Sequence, residues 1–536
     1  MHILTKHLKD NWLSIFFAFL LSFSVLMRFS WDFEIQTITH ICVFTAFSVL
    51  LFFYRTSFDI KQEGPLFVLP LLVLLSFFGN NEKAEIRTQL LILCDAVMLS
   101  YLWGYVPREQ RKMIFSMLVY IAALFSLITI VRSLINPSVS IIFYPISKSI
   151  VINANIVATF LAFCLFLALP NFSKGWLEKT VFFLILAGLI VTRSRNAILV
   201  TIFIYMTYNI FYSGRGFSRK IKINLVYLIS ALLVIAFLTL IKYISDKNFE
   251  GFFLANRLMW WMTAFEMFKH NAFNGIGWGN FGNYFAAYKA SAGLYSLYAH
   301  NIFLQFAAES GIPGLLGFIL LLISGFFSFR SKINHKYDDI PYFTSVFLAV
   351  FSLLLVNMLD FSFFVPFILF LFMIGLRTAI EYPLIQEKQP TSKRISTLLI
   401  LPVCYFLVLT PFLAWSFQNK GVEYSKIGDY TSAQNLLLVS TDMDPLPSIY
   451  FSRLAENSFA LYRTRKDPEF LQKAVYYQKE ALKRFPENHL YLSDLAWLYW
   501  SAGEKENAIL AMNSAVNFDK FNKKYPDTVN YFTSSK

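Results

Sequence analysis

Charge is scarce in this sequence: 15% of its 536 residues are Asp, Glu, Lys or Arg, against about 25% in soluble globular proteins. Such a chain cannot cover a soluble surface of ordinary polarity. Cysteine is scarcer still, and the four residues, Cys42, Cys94, Cys164 and Cys404, all lie inside apolar runs. None has metal-ligand spacing, so neither a disulfide framework nor a zinc site is expected. A small-residue cleavage site is also lacking after the apolar run that follows MHILTKHLKDNW. A retained first helix is expected there in place of a signal peptide.

What the sequence has is apolar length. Hydrophobic residues make up 57% of it, mean hydropathy is +0.53, and the apolar residues come in uninterrupted runs. A crossing helix needs about 20 such residues and satisfies its own backbone in lipid. Thirteen helices are predicted, at about 12–27, 38–54, 65–79, 88–106, 113–135, 150–170, 179–192, 196–213, 224–243, 300–329, 341–358, 362–380 and 396–416. The expected fold class is all-α: a polytopic transmembrane helical bundle over 1–416, then a C-terminal helical region over 417–536.

The net charge of +14 does not form one basic patch suited to nucleic acid. Lys6, Lys9, Arg55, Arg108, Arg111, Lys112, Arg215, Arg219, Arg330 and Lys332 fall with others in alternate loops. The opposite loops and helix ends hold few: Arg28, Lys83, Arg87, Arg132, Lys148, Arg193 and Arg195. That bias predicts a cytoplasmic N-terminus and, with an odd helix count, an outer C-terminal region. A long outer loop is predicted at 245–299.

The C-terminal region carries a weak repeat. Gly421, Tyr424, Gly428, Tyr430, Ala433 and Pro445 are echoed by Ala496, Tyr499, Gly503, Ala508 and Ala515. Ala433, Ala474 and Ala508 are 41 and 34 residues apart. Stacked helix pairs of the tetratricopeptide kind have periods of about 34 residues. An unrelated helical bundle is the alternative, and either serves as a docking surface for a partner protein.

Three motifs bear on chemistry. His300-Asn301 precedes Gly311-Ile312-Pro313-Gly314 by nine residues. Upstream, Arg257, Leu258 and Trp261 precede Gly275, Gly277, Gly279, Asn280 and Phe281. Ser194-Arg195-Asn196-Ala197 closes the seventh predicted helix. In order, spacing and membrane side, these resemble the O-antigen ligase superfamily, which includes polymerases. The resemblance implies transfer of a glycan from a polyprenyl (undecaprenyl) pyrophosphate carrier to an acceptor, at the outer face of a bacterial inner membrane. Lipid A core sugar, another repeat unit and a protein hydroxyl are the three acceptors open. The C-terminal region departs from the simplest ligases and favours a large acceptor.

The residue types suit that chemistry. An attacking hydroxyl needs a base, and an unperturbed histidine titrates near pH 6.5, which makes His300 the catalytic candidate. Arginine's planar fork suits phosphate oxygens. Arg195, Arg257 and Arg193, with Asn301 beside the histidine, are the substrate-binding candidates. With arginines as clamps, no metal or other cofactor is expected.

Blander readings stand beside these. Arg193 and Arg195 also fit interfacial anchors that snorkel, and Arg257 fits a brace for a loop helix. Trp260 and Trp261 fit sugar platforms or interfacial anchors, and the three glycines a tight turn. Asp95 and Glu309 stand at membrane depth, where an ionisable group is a functional candidate. A metal-dependent glycosyltransferase would use Asp32 and Glu34; Asp442 and Asp444 read as turn formers. A polysaccharide exporter or flippase would explain the helix count but not one-sided placing of His300, Arg195 and Arg257.

Overall fold

The computed structural model describes residues 2–54, 60–135, 153–212, 253–289, 291, 295–334, 339–380, 382 and 391–534. The chain runs α1 (His2–Leu26), α2 (Phe33–Phe53), α3 (Ile60–Phe78), α4 (Lys83–Trp103), α5 (Arg108–Ile135), α6 (Ala154–Ala168), α7 (Trp176–Val191) and α8 (Arg195–Tyr212). Then come α9 (Phe253–His270), α10 (Phe281–Tyr288), α11 (Ile302–Asn334), α12 (Ile340–Asn357), α13 (Pro366–Arg377) and α14 (Thr391–Lys426). Six shorter helices close the chain: α15 (Tyr430–Met443), α16 (Ser448–Arg465), α17 (Pro468–Arg484), α18 (His489–Ser501), α19 (Lys505–Phe518) and α20 (Lys524–Ser534). No strand occurs among the described residues.

The protein is an all-helical, polytopic membrane protein. Among the described residues, seven helices are long and apolar enough to cross a membrane: α2, α4, α5, the span Ala154–Asn171 that includes α6, the span Ile302–Ile333 in α11, α12, and Leu401–Lys426 in α14. Shorter apolar stretches, Asn11–Leu26, Glu63–Phe78 and Pro366–Arg377, lie in α1, α3 and α13. The predicted ninth helix, 224–243, lies outside the described residues, and each of the other twelve ranges overlaps a helix. The short α13 is sealed by protein on all sides, and a helix so lined tolerates shortness.

Helices apolar on all sides belong at the centre of a bundle. All twelve residues of α13 are buried, and α6 is buried from Ile156 to Ala168. Around them α12 packs on α6, α13 on α4, α7 on α5, and α11 on α3. Several buried charges find partners across the bundle. Arg111, 0% exposed, donates to the carbonyls of Val106, Gly104, Thr378 and Ile380 at 2.7–2.9 Å. Asp95 meets His40 at 2.5 Å between α4 and α2. Asp32 is held by Arg28 at 2.6 Å.

The end of the bundle bearing His300 is covered. Met267, Phe281 and Phe285 of α9 and α10 share an apolar core with Ala481, Phe485 and Tyr491 of the C-terminal helices. Arg87, near the start of α4, grips Asp444 through two parallel hydrogen bonds of 2.8 and 2.7 Å. Ser448 donates to Glu82, and Lys289 pairs with Asp519 at 2.8 Å. Asp444 thus serves a contact between distant segments in addition to its turn.

The C-terminal helices come as antiparallel pairs, α14 with α15, α16 with α17 and α18 with α19. Ala433, Ala474 and Ala508 are each 0% exposed at the contacts between them. Helix α14 runs unbroken through 416, so the expected division falls inside one helix.

Candidate functional site

Three segments converge near the N-terminal end of α11: the start of α8, the helix α9, and the connection between α12 and α13. His300 stands two residues before α11 with φ +54, a left-handed conformation rare for a side-chain-bearing residue. Both neighbours pin it. The Ala299 N–H donates to Gln305 Oε1 at 2.6 Å. Asn301 Oδ1 accepts from the N–H groups of Phe303 and Leu304 at 3.0 and 3.1 Å, capping the helix. The Asn301 amide also donates to the Met358 carbonyl at 3.2 Å. Strain of this kind persists only where surroundings over-determine it, and it gathers at functional sites.

The imidazole lies beneath the Trp260 indole, with ring centroids 4.4 Å apart and planes 23° apart. Phe361 closes the other side edge-on at 5.1 Å. Nδ1 faces Asp360 Oδ1 at 3.7 Å. The Asp360 side chain is 0% exposed and that of His300 13% exposed, so the imidazole alone of the two reaches the surface. Asp360 Oδ1 also accepts from the Phe361 N–H, whereas Oδ2 has no hydrogen-bond partner.

Arg257 projects from α9 and is 4% exposed. It donates to Asn196 Oδ1 at 3.1 Å, and the Asn196 amide donates to the Leu359 carbonyl at 3.3 Å. Burial works against the Arg257 charge, and the Asp360 carboxylate offsets it. His300, Asp360, Arg257 and Asn196 therefore form one connected group around residues 358–361. Arg195 opens α8 and is exposed, and Arg193, at φ +56, is exposed beside it. The first N–H groups of a helix and its dipole favour an anion at such a place. Ser194 Oγ, Trp261 Nε1 and His300 Nδ1 are buried without hydrogen-bond partners, as Asp360 Oδ2 is. Unsatisfied polar atoms on converging segments mark a place kept for something other than packing.

The glycine motif supports the site from below. Gly275, Gly277 and Gly279 have φ of +65, +96 and +90, the tight turn expected. The turn docks on α11 through Ile276 N–H to the Ala308 carbonyl and Gly277 N–H to the Glu309 carbonyl, both 2.9 Å. Glu309, 0% exposed, accepts from the Phe281 N–H at 2.9 Å. That bond ties the start of α10 to α11. Gly311 breaks α11 with φ +64 and ψ −162, and a Cβ there would strike the Phe273 carbonyl. That backbone region is open essentially to glycine alone. Gly311→Ala is expected to cost about 3 kcal/mol, read as a lowered melting midpoint of the purified protein. An unchanged midpoint would show that α11 closes without its break.

Of the residues singled out by sequence, His300 and Arg257 join one group, and Arg195 and Arg193 stand exposed at the start of α8. Asn301 orients the histidine through its cap and its bond to Met358. Trp260 differs from both expected roles, since it covers the histidine. Asp360 was not singled out, although an acid in MLDFSFF, between two apolar helices, carried the signal of an ionisable group at membrane depth. Asn196 stood in the Ser-Arg motif but had no assigned role. Among the described residues, no three His, Cys, Asp or Glu side chains gather as a metal-ligand set.

Comparison with known proteins agrees with the motif order. The O-antigen ligase family matches residues 180–319, which carry Arg195, Arg257, His300 and Gly311. No curated protein matches the chain.

Proposed function

We propose, from the match of residues 180–319 to the O-antigen ligase family, that the protein is a lipid-linked glycan transferase: the glycan leaves a polyprenyl pyrophosphate carrier for an acceptor hydroxyl at the outer membrane face. The observation that carries this reading is the group His300, Asp360 and Arg257, held beside exposed Arg195 and the start of α8. Nδ1 is turned toward Asp360, which leaves Nε2 to take the acceptor proton. The oxygen so freed attacks the anomeric carbon, the bond to the pyrophosphate oxygen breaks, and the configuration inverts. The Trp260 face and the Asp360 charge both favour the imidazolium that results.

The leaving polyprenyl pyrophosphate gains one negative charge as its glycosyl bond breaks, added to those it already carries, and needs cations beside it. Arg195, Arg193 and the α8 N-terminus supply them. Arg257 lies deeper and acts through position and charge, tying α9 to Asn196 and opposing Asp360. No step of this scheme requires a metal.

The C-terminal helix pairs we read as a tetratricopeptide-like array facing outward, with Ala433, Ala474 and Ala508 closing successive pairs. Lying over α9 and α10, the array favours a bulky acceptor.

The test is transfer by the purified full chain from a polyprenyl-pyrophosphate glycan, with and without EDTA. Acceptors are lipid A core, free repeat unit and a Ser/Thr-rich protein. Transfer that survives EDTA is expected, and the productive acceptor identifies the reaction. Transfer abolished by EDTA would move the chemistry to a metal, and no transfer to any acceptor would favour an exporter.

A further inference from the structure

The left-handed turn at His300 is held by a side chain that the transfer scheme leaves unused. Gln305 is 1% exposed, and its Oε1 accepts from the Ala299 N–H at 2.6 Å. A backbone N–H seeks an acceptor, so this contact settles which end of the amide is oxygen. The amide nitrogen is left for another partner. Gln305 Nε2 is buried with none among the described residues, and so is Oε2 of Glu309, four residues further along α11. Residues so spaced lie on one face of a helix, one turn apart. One atom can only donate and the other, in a carboxylate, only accepts, and the Gln305 amide bears on the Glu309 carboxyl.

Glu309 is anchored at its other oxygen. Its Oε1 accepts from the Phe281 N–H at 2.9 Å, where α10 begins. Phe281 in turn belongs to the apolar core that the C-terminal helices share. A line of polar groups thus runs from the start of α10 through Glu309 and Gln305 to the residue before His300.

We infer that Gln305 and Glu309 position His300: Glu309 Oε2 orients the Gln305 amide through Nε2, and the amide oxygen holds the peptide that sets the imidazole beneath Trp260. A small rotation of either side chain closes the bond between the two unpartnered atoms. Neither side chain touches substrate; both act through the histidine, so the inference rests on the reading of His300 as the base. Its backbone, at φ +54, is of a kind that persists only under restraint. Displacing a reacting group by about 1 Å can cost about 100-fold in rate.

The test is transfer by the purified full chain, with kcat, donor KM and melting midpoint measured for each variant. Gln305→Leu removes the acceptor and should lower kcat about 10- to 100-fold, with donor KM little changed because Arg193 and Arg195 are untouched. Glu309→Gln must keep its oxygen on the Phe281 N–H, which turns an amide nitrogen toward that of Gln305. Two donors cannot pair, and kcat should fall similarly. Exchanging the two, Gln305→Glu with Glu309→Gln, restores an acceptor beside Ala299 and a donor opposite it, and should recover most of the lost kcat. A merely structural pair would lower the melting midpoint in the single variants and leave kcat per folded molecule intact. That result, or an exchange variant no faster than Glu309→Gln alone, would overturn the inference while His300→Ala stays slow. Full transfer by His300→Ala would overturn the reading of the histidine as base, and this inference with it.

Discussion

Replacing His300 by alanine is expected to lower glycan transfer by about 10² to 10⁴, the usual weight of a general base, while donor binding persists. The geometry separates these two quantities. His300 sits under Trp260 and against Asp360, whereas exposed Arg193 and Arg195 stand at the start of α8. In the proposed mechanism, removing the imidazole takes away proton transfer and leaves the proposed phosphate-binding groups in place. Asp360→Asn refines the test. An amide keeps the shape but not the charge that steadies an imidazolium, so kcat should fall by a smaller factor with KM little changed. A merely structural Asp360 would instead lower the melting midpoint and leave kcat per folded molecule intact. Turnover by His300→Ala equal to wild type would remove the histidine as the base.

Breaking the contact between Arg87 and Asp444 is the second large effect expected. Asp444 is 3% exposed at its side chain and Arg87 17%, and the guanidinium engages both carboxylate oxygens. Loss of one partner from a buried pair costs about 3–5 kcal/mol. The partial exposure of Arg87 brings the expectation for Asp444→Ala to about 3 kcal/mol. The C-terminal helices should then loosen from α4 and α10, seen as faster limited proteolysis after 426 and as slower transfer. Exchanging the charges, Arg87→Asp with Asp444→Arg, should recover part of the loss, and the difference between single and double variants measures the coupling. Proteolysis unchanged by Asp444→Ala would mean that the apolar core around Phe485 and Tyr491 suffices.

The same seat responds to pH. Burial pushes the Glu82 carboxyl up to about 7, against the hydrogen bond from Ser448 that lowers it. Raised in the folded protein above its ordinary value near 4.3, this acid contributes stability at low pH. That contribution is lost as pH rises through about 7. Loosening should therefore be more pronounced at pH 8 than at pH 6.

The membrane fold was legible because bilayer helices write themselves in one dimension. A run of apolar residues satisfies its own backbone wherever it lies, so α2, α5 and α12 can be read without knowledge of neighbours. The motifs around Arg195, Arg257 and His300 were legible in the same way, as local patterns whose glycines betray special backbone at 275 and 311. Asp360 was not, because its meaning rests on Nδ1 of a histidine 60 residues earlier in the sequence. Trp260 was ambiguous for the same reason: nothing local tells an indole over an imidazole from one in the interface.

Sequence by itself thus determined the helices and singled out the candidate site residues, both read from contiguous residues. Tertiary structure alone decided that Arg257 lies buried against Asn196, that Asp360 backs His300, and that Asp444 clasps Arg87. Each of these is a pairing of polar groups across 60 to 357 residues of chain. Hydrogen bonds and charges act over a few ångströms, and only packing brings such distant residues within reach.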